Sequence, residues 1–150
     1  MEIDEFRIRH IIRSLADCAV ETSSKTMQDM INKIVAANKE NGINENCDIY
    51  FAAAICNLMK HTIDTVLKSE TFRDIGNMSE EYRRLAIMTL EIAADKFSEE
   101  YLGFVKAKGL QSPKEHIKAL KAVEIYLTKT NYSEFCEDVY NKLREKEDGL

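Results

Sequence analysis

Histidines, carboxylates and thiols are the side chains with which a small protein does acid–base, metal or nucleophilic chemistry. This chain carries three His, 26 Asp and Glu, and four Cys. Glu91, Asp95 and Glu99 recur at i, i+4 and i+8, and Glu134, Glu137 and Asp138 form a second acidic group. Brought to one cavity, two such groups would hold magnesium and bridge it to a phosphate, because hard cations need converging oxygens. That chemistry would make the chain a magnesium-dependent, all-α nucleotide phosphohydrolase using Glu91, Asp95, Glu134 and Asp138. The spacing departs from the EExxE and ExxD pairs such a site uses, and exposed carboxylates are tolerated cheaply. The expectation is therefore two solvated acidic faces, with no catalytic residue, metal or cofactor.

The other reactive residues read the same way. His61 shares a polar helical face with Asn57, Asp64 and Lys68, and would need carboxylates from another helix to hold a metal. His116 projects on an apolar side near Leu120 and Val123, which predicts a hydrogen-bonded boundary histidine rather than a base. Cys18, Cys47, Cys56 and Cys136 form no CxxC pair and no zinc spacing. Cys18, Cys56 and Cys136 lie beside apolar positions, where a reduced cysteine packs as a small hydrophobe. Cys47, near a helix start, is the candidate for a reactive thiol, with no paired His or Cys in view. No Gly-rich phosphate loop, HExxH or nucleophile elbow is present. Enzymatic activity is not expected.

The elements that must position these residues are helical throughout. Apolar residues recur at i, i+3, i+4 and i+7 in six segments, near 3–22, 24–41, 46–72, 80–108, 113–129 and 134–147. Segment three carries Phe51, Ile55, Leu58, Met59, Ile63, Val66 and Leu67. Thr22, Ser23 and Ser24 supply a cap that divides the first two segments, although one continuous helix fits the same spacing. Gly42, Gly76 and Gly109 follow helix-like runs, as residues that take the left-handed cap conformation at no steric cost. Ser112-Pro113-Lys114-Glu115 is a capping box with proline in the first turn. The expected fold is a single all-α domain over residues 1–150, an antiparallel bundle of about six helices. Segments three and four are expected at its centre, and the charged tail 145–150 to fray.

Composition bounds the rest. With 45% apolar and 31% charged residues, the chain is globular rather than disordered. Its longest charge-free stretch, Ile49 to Met59, is far short of a bilayer span. The acidic start is unlike a signal peptide, and unpaired cysteines fit a reducing cytoplasm. The net charge of −5 hides a polarity: residues 104–129 carry +4 and the remainder −9. Lys114, Lys118, Lys121 and Lys129 share one side of the fifth segment, opposite Leu120 and Leu127. Such a stripe would meet an acidic protein or phosphates, as on the surface of a nucleoprotein. It has no arginine or stacking aromatic, so base-reading contact with nucleic acid is not expected.

Two further places suggest partner contact. Phe6 is flanked by Arg9 and Arg13, although Glu5–Arg9 and Arg13–Asp17 are i,i+4 pairs able to satisfy themselves. Met88 and Leu102 share the outward side of segment four with Glu91 and Asp95, an apolar spot rimmed by charge. These features together predict a non-enzymatic protein-interaction module. It would be a small cytoplasmic regulator, inhibitor or immunity-type binder, or a helical subunit of a larger assembly. The partner would be another protein or a second copy.

Overall fold

The computed structural model describes residues 5–43, 46–69 and 79–148. These residues are helical, with no strand among them: α1 (Glu5–Glu40), α2 (Ile49–Leu67), α3 (Glu80–Lys108), α4 (Pro113–Ile125) and α5 (Tyr132–Asp148). A π-helical turn, Tyr126–Thr130, joins α4 to α5, closed by the Asn131 N–H donating to the Tyr126 carbonyl at 2.7 Å. Gly76, expected to end a helix, lies outside the described residues.

The first two predicted segments are one helix of 36 residues, about 54 Å long at 1.5 Å per residue. The reason lies in where the two serines point. Ile12, Ala16, Ala19, Val20, Ser23, Ser24, Met27 and Ile31 form one unbroken buried stripe. Ser24 Oγ donates to the Leu120 carbonyl of α4 at 3.4 Å and accepts from Gln28 Nε2 at 3.0 Å. A serine whose hydroxyl serves a neighbouring helix does not cap its own. Its small volume also admits α4 close to α1.

The remaining helix ends follow local rules. Asp48 caps α2, its carboxylate accepting from the Tyr50 and Phe51 N–H groups at 3.0 and 3.1 Å. Ser79 caps α3 by accepting from Tyr82 N–H at 3.2 Å, with Glu80 and Glu81 in the first turn and Lys106 and Lys108 in the last. Gly109, at φ +61°, turns the chain out of α3, and Leu110 behind it is buried. Gly42, at φ +70°, closes α1 with Ile43 N–H bonded back to Asn38, although Ile43 itself stays exposed. The predicted capping box of α4 is complete: Glu115 N–H to Ser112 Oγ at 3.2 Å, and Ser112 N–H to Glu115 Oε1 at 3.3 Å.

Of the two segments expected at the centre, packing keeps segment four, now α3, and replaces segment three by α1. The most extensive helix contact is α1 against α3, and each of these also meets α2, α4 and α5. Segment three, now α2, lies against α1 and α3, and it leaves Leu58 and Val66 of its predicted apolar face exposed. The spine is α1 with α3 because the fusion of the first two segments makes α1 long enough to touch everything else. Phe97, Tyr101 and Phe135 are the bulkiest fully buried side chains. Residues 145–148, expected to fray, complete the last turn of α5.

Candidate interaction face and internal latch

The acidic groups do not converge. Glu91 and Asp95 face α2, lining a cleft of about 320 Å³ with Lys60, His61, Ile63, Asp64 and Ala94. Asp95 is bound to Lys60 at 3.3 Å, and Asp64 to Lys68 at 2.9 Å. Asp138 on α5 is held instead by Lys96 at 3.1 Å, and Glu134 is exposed. The carboxylates a magnesium site would need are thus divided between two faces of α3, each opposite a lysine. Among the described residues no group of three His, Cys, Asp or Glu is arranged to hold a metal.

His116 is fully buried and joins three parts of the fold. Its Nε2 faces the Cys47 carbonyl and its Nδ1 lies 2.6 Å from Tyr101 Oη. A carbonyl only accepts, so Nε2 carries the proton and Nδ1 accepts from the tyrosine. The tautomer follows from the partners. Phe51 and Tyr101 meet the imidazole edge-on, each with ring centroids 5.9 Å away. Burial pushes the Tyr101 hydroxyl well above its ordinary range, which keeps it a donor. The histidine therefore latches the start of α2 to α3 and α4.

The cysteines are free. Cys47, Cys56 and Cys136 are buried, whereas Cys18, expected to pack inward, is exposed at a cleft between α1 and α2 that Thr62, Ile63 and Val66 also line. Burial raises the thiols of Cys56 and Cys136, which suppresses their thiolates. Cys47 is positioned by its backbone, whose amide donates to Gln111 at 3.0 Å and whose carbonyl serves His116.

The arginines near Phe6 are consumed within the fold. Arg9 pairs with Glu137 of α5, lies 3.9 Å from Glu5, and sits 4.1 Å over the Tyr140 ring. Tyr140 in turn donates to Glu5 at 3.1 Å. Arg13 stacks 5.9 Å from the Tyr132 ring rather than closing the predicted pair with Asp17. Asp17 accepts from Tyr132 Oη at 3.1 Å, and its other oxygen is buried with no hydrogen-bond partner among the described residues. Phe6 remains exposed, but the cations beside it are seam residues between α1 and α5.

Burial holds the Asp17 carboxyl above its usual range, against the lowering effect of the Tyr132 hydrogen bond. A raised acid binds its proton more tightly in the folded than in the unfolded chain. Stability from this group is therefore present below the unfolded carboxyl pKa and is lost as pH rises through the folded one. Asp17→Asn keeps an acceptor for Tyr132 without the charge. It should raise the melting temperature at pH 7 and lose that advantage near pH 3 (an equal gain at both pH values would contradict the account).

Met88 and Leu102, predicted as an outward spot, are partly buried against the core. The arc of α3 is broad enough that both fall on its packed side. An exposed apolar spot lies at the end of α4. Lys114, Lys118, Lys121 and Lys129 are all exposed, and none forms an ion pair with another described residue. Ile125, four residues after Lys121 and four before Lys129, is 50% exposed in the middle of this lysine face, with Tyr126 beside it at 41%. The sequence carried the signal: an isoleucine in phase with lysines is out of phase with the core. Tyr126 opens onto a cleft of about 500 Å³ between α3 and α4, lined also by Glu99, Glu100, Gly103, Phe104, Ala122 and Val123.

No helix among the described residues is long and apolar enough to cross a membrane. Comparison with protein-family models, curated proteins and solved structures finds no significant match for this chain. The geometry defines the class on its own terms: an all-helical protein with a buried polar latch and a cationic face that has an apolar centre.

Proposed function

We propose that this chain is a non-enzymatic protein-interaction module, an antiparallel helical bundle acting in a reducing cytoplasm as a small regulator, inhibitor or assembly subunit. One observation carries the reading: Ile125, half exposed, stands at the centre of four lysines that no described carboxylate neutralises. An apolar anchor with a charged rim is the anatomy of a protein contact, in which the centre supplies affinity and the rim supplies orientation and association rate. The phosphohydrolase alternative lacks support, since Asp95 and Asp138 are engaged by different lysines on opposite contacts.

The test compares the wild type with a Lys121→Glu, Ile125→Asp variant in capture from the native host, with nuclease present. Both positions are exposed, so the variant should keep its helicity. The expected result is a protein retained by the wild type, weakened by salt and lost by the variant. Retention unchanged in the variant would overturn the assignment of this face. Retention of nucleic acid alone, in a parallel run without nuclease, would replace it with the nucleoprotein reading.

A further inference from the structure

Gly103 is the residue of α3 that the fold does not explain. It stands in the interior of a helix that runs Glu80–Lys108, where glycine is the weakest helix former after proline. Its φ is not positive, so no turn or cap requires it. No neighbour requires it either, because a β-carbon built there would meet nothing within 4 Å. Gly103 instead lines the cleft between α3 and α4, where it leaves a patch of helix backbone bare. The room it leaves is open to an occupant from outside the chain.

The rest of the lining selects that occupant. Its charges are of one sign: Glu99 and Glu100, both exposed and neither in an ion pair with another described residue. No lysine or arginine is among the described lining residues. Beside these carboxylates lie Phe104, half-buried, and Tyr126, 41% exposed. Aromatic rings attract cations to their faces. Ala122 and Val123 complete an apolar wall, and the volume of about 500 Å³ is that of a small-molecule site. An anion would meet two carboxylates. A hard metal ion needs several converging oxygens and holds its water, which an apolar wall does not replace. An ammonium group carried on an apolar body satisfies both halves of the lining.

We propose that the α3–α4 cleft is a binding site for a small organic cation, an ammonium on an alkyl or aromatic body. Glu99 and Glu100 hold its charge, Phe104 and Tyr126 its apolar part, and Gly103 lets it approach the helix backbone. The site stands apart from the lysine face: Lys114, Lys118 and Lys121 do not line it.

The test uses benzyltrimethylammonium as the probe, titrated into isotope-labelled protein and followed by amide chemical shifts. Saturable shifts are expected at residues 99–104 and 122–126, with an affinity that falls as salt is added. Neutral benzyl alcohol should bind at least about tenfold more weakly. Glu99→Gln with Glu100→Gln keeps the shape and removes the charge, and should also lose about tenfold. Gly103→Ala separates folding from binding, because its two effects have opposite signs. It should raise the melting temperature, as alanine does in a helix interior, and weaken the probe by about tenfold.

A wild type that shows no saturable shift overturns the proposal. Benzyl alcohol bound as tightly as the cation would do so too, as would full affinity in the double glutamine variant, since the cleft would then be an apolar groove without selection for charge. Unchanged binding in Gly103→Ala counts the same way. Every lining residue is intact in the Lys121→Glu, Ile125→Asp variant, which should bind the probe as the wild type does, so failure of the lysine-face reading remains distinguishable from failure of this one.

Discussion

His116→Ala should lower the free energy of unfolding by about 4 kcal/mol, read as a fall in the urea midpoint at unchanged slope. The substitution removes both hydrogen bonds of the imidazole at once. It leaves the Tyr101 hydroxyl and the Cys47 carbonyl facing an apolar cavity, and an orphaned buried polar group costs about 1–3 kcal/mol. The edge contacts with Phe51 and Tyr101 disappear as well. Tyr101→Phe keeps the ring and deletes one donor, so its cost should be smaller, about 1–2 kcal/mol. The ordering matters as much as the size. If His116→Ala cost no more than Tyr101→Phe, the link to the Cys47 carbonyl would contribute little and the latch would be a single bond. Hydrogen exchange offers a second readout: amides at the start of α2 should lose protection in His116→Ala before those of α3.

Lys25→Pro should cost about 3 kcal/mol or more, while Lys25→Ala should be close to neutral. Lys25 is exposed, so its side chain is not at issue and the backbone alone is probed. In a helix that begins at a Ser24 cap, position 25 is the first turn, where proline is welcome. In the continuous α1 it is an interior position, twenty residues past the start. There proline deletes the bond to the carbonyl of Glu21 and its ring clashes with the preceding turn. The kink would also drag Ser24 from the Leu120 carbonyl and disturb the contact between α1 and α4. Thermal denaturation of the two variants beside the wild type decides the matter. A tolerated proline would mean that α1 is two helices after all.

These two positions also mark where sequence reasoning ends. Local chemistry was readable wherever a residue acts on its own helix. The Ser112–Glu115 box, proline in the first turn of α4 and the Gly109 terminus of α3 are short-range devices, and the structure contains all of them. The helical class followed from periodicity for the same reason. Ser24 was misjudged because its partner is Leu120, 96 residues away, and no local rule can reveal that a hydroxyl is needed by another helix. His116 was foreseen as hydrogen-bonded, but neither of its partners was legible.

The candidate face shows the same division. The lysine stripe came from counting along one helix, and all four residues do stand exposed. Met88 and Leu102 required knowing which side of α3 meets its neighbours, and α3 is surrounded by α1, α2, α4 and α5. Arg9 was legible as a partner of Glu5, but its contacts with Glu137 and Tyr140 needed α5 beside it. Ile125 could have been found, since it breaks the binary pattern of its own helix. An apolar residue among lysines carries more information than an apolar residue beside acids on a helix that is buried on several sides.

The π turn at Tyr126–Thr130 has a meaning for the inheritance of this fold. The turn holds five residues between α4 and Asn131, whose φ of −117° and ψ of 30° end the helix before α5 begins. Leu127 stays in the core on one side, while Phe135, Val139 and Leu143 begin a fresh buried stripe on the other. The turn is thus a length buffer between two stripes, each keeping its own phase. Descendants of this chain should be able to gain or lose a residue there with α4 unchanged, while the register of α5 against α1 and α3 would have to be reselected.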